Sequence, residues 1–163
     1  VVAKKRSALR TLNEVWRQGN VCKKYLTLVK GHWPARTQKV DLPLKRFELK
    51  SGERQVVVSI DDGKPSLTYF KKRETYPEAT LLEVRLATGR THQIRVHTQS
   101  QKHPIAGDDK YGDKAFNKLL KPKGLKRLWL HAYSLAFDFE GENYEFEAPI
   151  PADLQTVLQG LSE

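Results

Sequence analysis

Short strand-like runs separated by turn residues occupy most of this chain, and they constrain its fold more than any other feature. Each run either alternates apolar and polar residues or is rich in β-branched and aromatic ones, as strands are. Turn-forming residues follow several of the runs, at Asp61-Asp62-Gly63, Tyr76-Pro77 and residues 140–143. The predicted strands are Lys24–Lys30, Arg54–Ile60, Ser66–Tyr76, Ala79–Ala87, Arg127–Phe139 and Tyr144–Ala148.

Helical spacing of apolar residues is confined to a few segments. It predicts a helix over residues 4–18, a short one over residues 91–99 and a last one that begins at Pro151. Residues 118–126 (KLLKPKGLK) are predicted to form a basic loop. A chain of 163 residues corresponds to about one domain. We therefore expect one α+β domain, with a mixed, mostly antiparallel sheet and flanking helices.

The formal net charge of +10 is unevenly distributed along the chain. Residues 1–60 hold 14 Lys and Arg against 4 Asp and Glu, and residues 85–127 hold 11 against 3. Residues 128–163 hold 7 acidic residues and no Lys or Arg. Such asymmetry is typical of a face that binds a polyanion such as nucleic acid. A solvated, lysine-rich surface is the alternative that charge alone leaves open.

Two absences limit the classes of protein to consider. No apolar run approaches the roughly 20 residues that span a bilayer, so we expect no membrane partner. The single cysteine, Cys22, excludes an internal disulfide and any zinc site built on several thiolates. A reducing compartment, the cytoplasm, is the expected location.

The segment TGRTHQIRVH, residues 88–97, is the most unusual in the chain, and HPIAGDDKYGD follows it at residues 103–113. A strand that ends in Thr88-Gly89 can turn sharply and approach a partner closely. The residues that follow present hydrogen-bond donors suited to phosphates and base edges. On a helix, Arg90 and Arg95 would point in different directions, so we expect them to have separate roles.

The same segment permits a metal-site interpretation, through His92, His97 and His103 with the acidic residues between 108 and 113. However, His92 and His97 are five residues apart, which places them on different faces of a helix, unlike the i, i+4 pair of a zinc helix. The aspartates are better explained as turn residues around Gly107 and Gly112. No metal is expected.

These motifs, in this order, resemble the signature of the RluA-type RNA pseudouridine synthases. Besides the two segments above, KKYLTLVKG at residues 23–31 and LWLHAYSL at residues 128–135 match the family, and the likeness runs from Ala3 to about residue 161. Within the family, the segments AKKRSALRTLNE and SGER are most similar to the synthases of ribosomal large-subunit RNA. The resemblance implies a cofactor-free isomerisation of specific uridines in large-subunit (23S) RNA, with the target base flipped into a cleft.

The resemblance also implies a nucleophilic aspartate in a motif similar to His-Arg-Leu-Asp, and no such motif occurs here. The chain begins at Val1 and contains no methionine. We therefore expect residues 1–163 to be the C-terminal part of a single catalytic domain, inactive alone, whose nucleophile lies upstream of Val1. The expected assembly state is a monomer.

Three residues match the family's active site. Tyr25 matches the tyrosine that stacks on the target base and can move a proton, Arg90 the residue that pairs with the aspartate, and Leu130 the apolar residue beneath the site. A carboxylate that must stay ionised in a buried site needs such a cation. The predicted RNA-binding residues are Lys24, Thr91, His92, Gln93 and Arg95.

Two alternatives to an enzyme of this family stay open at this point. One is a non-catalytic RNA-binding domain with the same fold and the same basic face. The other is a metal-dependent nuclease that uses the histidines and aspartates of residues 92–113.

Overall fold

Six strands form the main sheet of this computed structural model, which describes residues 21–162. The helix predicted over residues 4–18 lies outside the described residues. The strands are β1 (Val21–Lys30), β2 (Lys39–Asp41), β5 (Leu67–Thr75), β6 (Ala79–Leu86), β7 (Leu130–Phe139) and β8 (Glu142–Glu147). Their order is β2-β5-β6-β1-β7-β8, and every neighbouring pair is antiparallel. The α+β class and the antiparallel sheet predicted from the sequence are confirmed.

A separate two-stranded sheet pairs β3 (Leu44–Glu48) with β4 (Arg54–Val58). We call this ribbon the hairpin. The sequence predicts β4 but neither β3 nor β2. One side of the hairpin is buried through Leu44 and Val56, which pack against Val96 and Tyr111, while most of its other side chains are exposed.

Within residues 21–162, three α-helices accompany the strands: α1 (Gln93–Ser100), α2 (Lys114–Leu120) and α3 (Ala152–Ser162). The basic loop predicted over residues 118–126 is wrong in its first half, because α2 continues to Leu120 and a 3-10 turn follows at Lys121–Lys123. Asp113 caps α2 by accepting a hydrogen bond from the Phe116 amide at 2.9 Å. Among the described residues, no helix has the length and apolar character of a membrane span.

The sheet has two differently covered faces. Leu26, Leu28 and Leu81 pack against α2 and α3 through Phe116, Leu120 and Leu154, and we call this side the α2–α3 face. Val29, Val84 and Phe70 pack on the opposite side with Ile94 of α1, and we call it the α1 face. Because side chains alternate along a strand, each residue's position in β1 decides which of these faces it reaches.

Candidate functional site

Tyr25 and Leu130 lie close together on the α1 face. In the sheet register Tyr25 is opposite Ala132, and Thr27 is opposite Leu130. Tyr25 and Thr27 share a face, so Tyr25 and Leu130 are diagonal neighbours on adjacent strands. Both pack, partly exposed, against the apolar cluster that contains Val84 and Ile94. A concavity of about 350 Å³ opens beside Tyr25, lined also by Lys23, Ala132, Leu135 and Phe146.

Lys24, although adjacent to Tyr25, is directed to the other side of the sheet. It is opposite Arg85 of β6, which is in turn opposite Tyr69 of β5. Lys24, Arg85 and Tyr69 line a small hollow on the α2–α3 face, where the Arg85 guanidinium lies 4.4 Å from the centre of the Tyr69 ring. The sequence analysis predicted that Lys24 binds RNA, and the structure places its side chain on the face of the sheet opposite Tyr25.

Arg90 lies in the loop that joins β6 to α1. Its Nε donates to the Pro65 carbonyl at 3.1 Å, and its side chain is exposed. Among residues 21–162, no carboxylate forms a salt bridge with it, and no hydrogen bond or ring contact joins it to Tyr25 or Leu130. Arg90 thus follows β6, the strand that pairs with the strand of Tyr25, but its side chain lines a concavity separate from the one beside Tyr25.

That concavity, which we call the Arg90 cleft, has a volume of about 390 Å³ and lies between the β6–α1 loop and the hairpin. In the described part of the chain, four cationic side chains line it: Lys45, Arg46, Lys64 and Arg90. One carboxylate, Asp62, also lines it, and hydrogen bonds from Lys45 and Ser59 hold the Asp62 pKa below its usual value. Cations outnumber carboxylates, so the cleft attracts anions such as phosphate.

The sequence analysis did not single out Lys45, Arg46 and Lys64. Lys45 and Arg46 could have been found from the strand prediction for Arg54–Ile60, which requires a pairing partner, because they belong to that partner and lie opposite Val57 and Val56.

Gln93, predicted to bind RNA, is instead buried in the protein. Its Oε1 accepts hydrogen bonds from the Thr88 hydroxyl and the Arg90 amide, and its Nε2 donates to the Leu67 carbonyl and the Thr68 hydroxyl. An amide side chain makes four hydrogen bonds at most. All four of those of Gln93 are within the fold, so none is left for RNA.

Arg95 is also committed within the protein. Its guanidinium donates two parallel hydrogen bonds to Asp108, at 2.9 and 2.8 Å, and lies 5.0 Å from the centre of the Tyr111 ring. The Asp108 side chain is fully buried. Burial alone would raise the Asp108 pKa, but the hydrogen bonds from Arg95 and from the Tyr111 and Lys110 amides outweigh it and lower the pKa. The prediction that Arg90 and Arg95 have separate roles agrees with this geometry, but an RNA contact by Arg95 does not.

His92 and Thr91 keep surface that a ligand can reach. Thr91 lines the Arg90 cleft. His92 precedes α1 in the left-handed backbone conformation (φ 54°), and its Nδ1 lies 2.8 Å from the Tyr111 hydroxyl. Burial, together with the charges of Arg95 and Lys110, lowers the His92 pKa. A neutral His92 with one ring nitrogen engaged has its Nε2 available as a partner for RNA.

The histidines and aspartates considered for a metal site are separated by other contacts. His97 bonds Thr68 and Leu42, His103 bonds the Lys30 carbonyl, and Asp113 pairs with Lys30. In the part of the chain that the structure describes, no three His, Cys, Asp or Glu side chains are grouped as metal ligands.

Comparison with other proteins identifies relatives over almost the whole chain. The chain is 52% identical over 163 residues to "Ribosomal large subunit pseudouridine synthase C" of Haemophilus ducreyi, covering 99% of this chain and 51% of the relative. The protein of the same name from Escherichia coli is 50% identical, with 99% of this chain and 51% of the relative covered. The chain thus spans about half the length of the curated relatives it matches.

Solved structures share the fold. "Human RNA Pseudouridylate Synthase Domain Containing 1" superposes with a TM-score of 0.76 at 24% sequence identity, over 99% of this chain and 74% of that one. "Human RNA Pseudouridylate Synthase Domain Containing 4" gives a TM-score of 0.74 at 24% identity, over 97% and 69%. The sequence profile described as RNA pseudouridylate synthase matches residues 1–100, which hold Tyr25 and the Arg90 loop. This chain belongs to the RNA pseudouridylate synthase family.

Proposed function

We propose that this chain is the C-terminal part of a catalytic domain that isomerises specific uridines to pseudouridine in large-subunit ribosomal RNA. The names of the relatives support the substrate. The observation that carries the reaction is the state of Arg90: an exposed guanidinium in a cationic cleft, with no carboxylate partner among residues 21–162. Such a guanidinium is free to hold a nucleophilic carboxylate by two parallel bonds.

In this proposal the reaction uses no cofactor, and it consumes no oxidant, reductant or group donor, because it only rearranges bonds within one nucleotide. The carboxylate from upstream of Val1 takes part in breaking the bond between the ribose and N1 of the base, and the base reattaches through C5. The C5 proton is lost and N1 gains one, so that atoms balance. Tyr25 stacks on the flipped base and can move a proton between C5 and N1, while Leu130 packs beneath the base. Arg90 keeps the carboxylate ionised.

RNA outside the reacting nucleotide is proposed to bind along the hairpin and the Arg90 cleft. Lys45, Arg46 and Lys64 supply charge there, and Thr91 and His92 supply hydrogen-bond donors at the start of α1. Gln93 acts by holding the β6–α1 loop and Arg95 by pairing with Asp108, and Lys24 is not part of the interface. We propose a monomer that acts in the cytoplasm.

The test uses this chain alone and the same chain joined to the remaining half of the Haemophilus ducreyi relative. Each is incubated with large-subunit RNA carrying tritium at C5 of uridine, and the tritium released to water is measured. We expect release by the joined protein and none by the chain alone, with no effect of a metal chelator. The joined protein with Arg90→Ala is the control for activity that depends on this chain.

Failure to release tritium, by a joined protein that is folded and binds RNA, would contradict the proposal and favour a non-catalytic RNA-binding domain. Cleavage of the RNA that a chelator abolishes would instead favour the nuclease.

A further inference from the structure

A continuous chain of hydrogen bonds, buried at its centre and part-buried at its two ends, runs from the Arg90 amide to the Leu42 carbonyl. The Arg90 N–H donates to Gln93 Oε1 at 3.0 Å, and Gln93 Nε2 donates to Thr68 Oγ1 at 2.9 Å. Thr68 Oγ1 lies 2.8 Å from His97 Nδ1, and His97 Nε2 lies 2.9 Å from the Leu42 carbonyl. Thr68 and His97 are fully buried. Except for the two end residues, every member of this chain is inaccessible to RNA.

The ends of the chain fix the direction of every bond in it. A backbone N–H can only donate, so the Gln93 atom that faces Arg90 is the oxygen, and the amino group faces Thr68. Thr68 Oγ1 accepts that hydrogen bond and directs its own hydrogen to His97 Nδ1. The Leu42 carbonyl can only accept, so His97 Nε2 carries the ring hydrogen. His97 is therefore the neutral Nε2–H tautomer. Burial lowers the pKa of His97 and so also favours the neutral ring over the protonated one.

A second branch fixes the Gln93 amide from the other side. The Leu67 N–H donates to Thr88 Oγ1 at 3.0 Å, and Thr88 Oγ1 donates to Gln93 Oε1 at 2.7 Å. Gln93 Nε2 also donates to the Leu67 carbonyl at 2.9 Å. Gln93 thus ties both ends of the Arg90 loop to β5. The backbone of Arg90 is fixed, while its guanidinium lies exposed in the Arg90 cleft.

We propose that Gln93, Thr68 and His97 are positioning residues for Arg90: their hydrogen-bond chain holds the Arg90 backbone where its guanidinium can meet the nucleophile. The role in the reaction rests on the proposed function, whereas the chain itself can be tested without activity. A side chain that must hold a carboxylate by two parallel bonds tolerates little displacement of its backbone.

The first experiment measures the chain in this protein without RNA. Nitrogen NMR of the unaltered protein should show His97 as the neutral Nε2–H tautomer, and an Nδ1–H tautomer would overturn the proposal. Hydrogen exchange of the Arg90 amide is then compared between the unaltered protein and the Thr68→Val variant. This substitution removes both side-chain hydrogen bonds of Thr68 at nearly constant volume. We expect exchange about tenfold faster at Arg90, with the Leu28 amide in the sheet unchanged. Thr68→Ser should restore protection.

Thr80, which is not a member of the hydrogen-bond chain, offers a matched control. This threonine is equally buried and also bridges a donor and an acceptor, the Trp33 amide and the Gly31 carbonyl, at the far end of β6. Thr80→Val should leave the Arg90 amide unchanged. Equal effects of Thr68→Val and Thr80→Val at Arg90 would mean general loosening of the fold and would overturn the proposal.

The second experiment measures single-turnover rates of the joined protein at saturating RNA, at a temperature where each variant is folded. We expect Thr68→Val to lower the rate about 10- to 100-fold with little change in RNA affinity, Thr80→Val to leave it unchanged, and Thr68→Ser to restore it. A Thr68→Val rate equal to that of Thr80→Val would overturn the positioning role. An inactive unaltered joined protein would instead contradict the proposed function. The NMR and exchange measurements would then test whether the hydrogen-bond chain holds the Arg90 backbone, independently of activity.

Discussion

The side chains of Lys24 and Tyr25, consecutive in β1, lie on opposite faces of the six-stranded sheet. Lys24 faces the hollow with Arg85, whereas Tyr25 packs on the α1 face near Leu130. Tyr25→Ala in the joined protein should therefore raise the free energy of the transition state by about 1–3 kcal/mol, which is the contribution of base stacking. Lys24→Ala is the matched control and should leave the single-turnover rate unchanged. Equal losses from both variants would contradict this division between the faces.

Arg90→Lys should lower the single-turnover rate while RNA affinity is retained. Lysine keeps the charge but has a single rotating ammonium in place of a rigid fork, so it cannot hold a carboxylate by two parallel bonds. RNA docking depends on many phosphate contacts and should change little. The two measurements are single-turnover kinetics and filter binding on the same RNA. Loss of affinity with an unchanged rate at saturation would make Arg90 a phosphate contact instead.

RNA affinity should fall steeply with salt, because the cations of the Arg90 cleft displace counterions from phosphates. Arg46→Gln should reduce the slope of log affinity against log salt by about one. Lys118→Gln is the control, since Lys118 lies on α2, which packs on the other face of the sheet. The measurement is a binding titration at several salt concentrations. A nearly constant affinity, or a greater effect of Lys118, would argue against RNA binding along the cleft.

Arg95→Ala should destabilise the fold by about 3–5 kcal/mol, because it leaves the buried Asp108 carboxylate without its cation. Arg127→Ala is a matched control: Arg127 also forms a two-bonded pair, with Asp153, but both side chains are more than 40% exposed. Its loss should cost at most about 1 kcal/mol. Urea unfolding measures both. An Arg95→Ala protein of unchanged stability and weakened RNA binding would restore Arg95 to the RNA interface.

Stability should fall as the pH drops below about 6.5, through His97 and His92. Burial lowers both pKa values from the ordinary 6.5, so the unfolded chain takes up these protons before the folded one does. The stabilisation is complete above the unfolded-state pKa and is lost as the pH falls toward the lowered one. Urea unfolding at pH 7.5, 6.5 and 5.5 tests this. His97→Gln should flatten the dependence, and an unchanged pH slope in that variant would contradict it.

The strands of the main sheet could largely be predicted from sequence because each carries its own periodicity and is bounded by turn residues. Strand β3 could not, because Lys45 to Glu48 are all exposed and the segment is a strand only through pairing with β4. Helix α2 has a capping residue, Asp113, and buries Phe116 and Leu120 four residues apart. The lysines between and after them indicated a loop more strongly than these signals indicated a helix.

Candidate residues were predicted less evenly than the fold. Residue type showed that Gln93 and Arg95 carry donors, but only the fold shows which groups face those donors. Gln93 meets Thr68, which is 25 positions away in sequence, and Arg95 meets Asp108. Nothing local distinguishes such residues from Arg90, which has the same side chain as Arg95 and lies five residues before it.

Tyr111 joins the hairpin to the loop that precedes α1. Its hydroxyl accepts a hydrogen bond from the Val56 amide of the hairpin at 3.0 Å and bonds His92, before α1, at 2.8 Å. The pairing of β3 with β4 does not involve this hydroxyl. Its position therefore affects the orientation of the hairpin relative to the Arg90 loop, and with it the width of the Arg90 cleft, without affecting the strand register. One phenolic oxygen can thus change the distance between opposite walls of the cleft while each wall keeps its own structure.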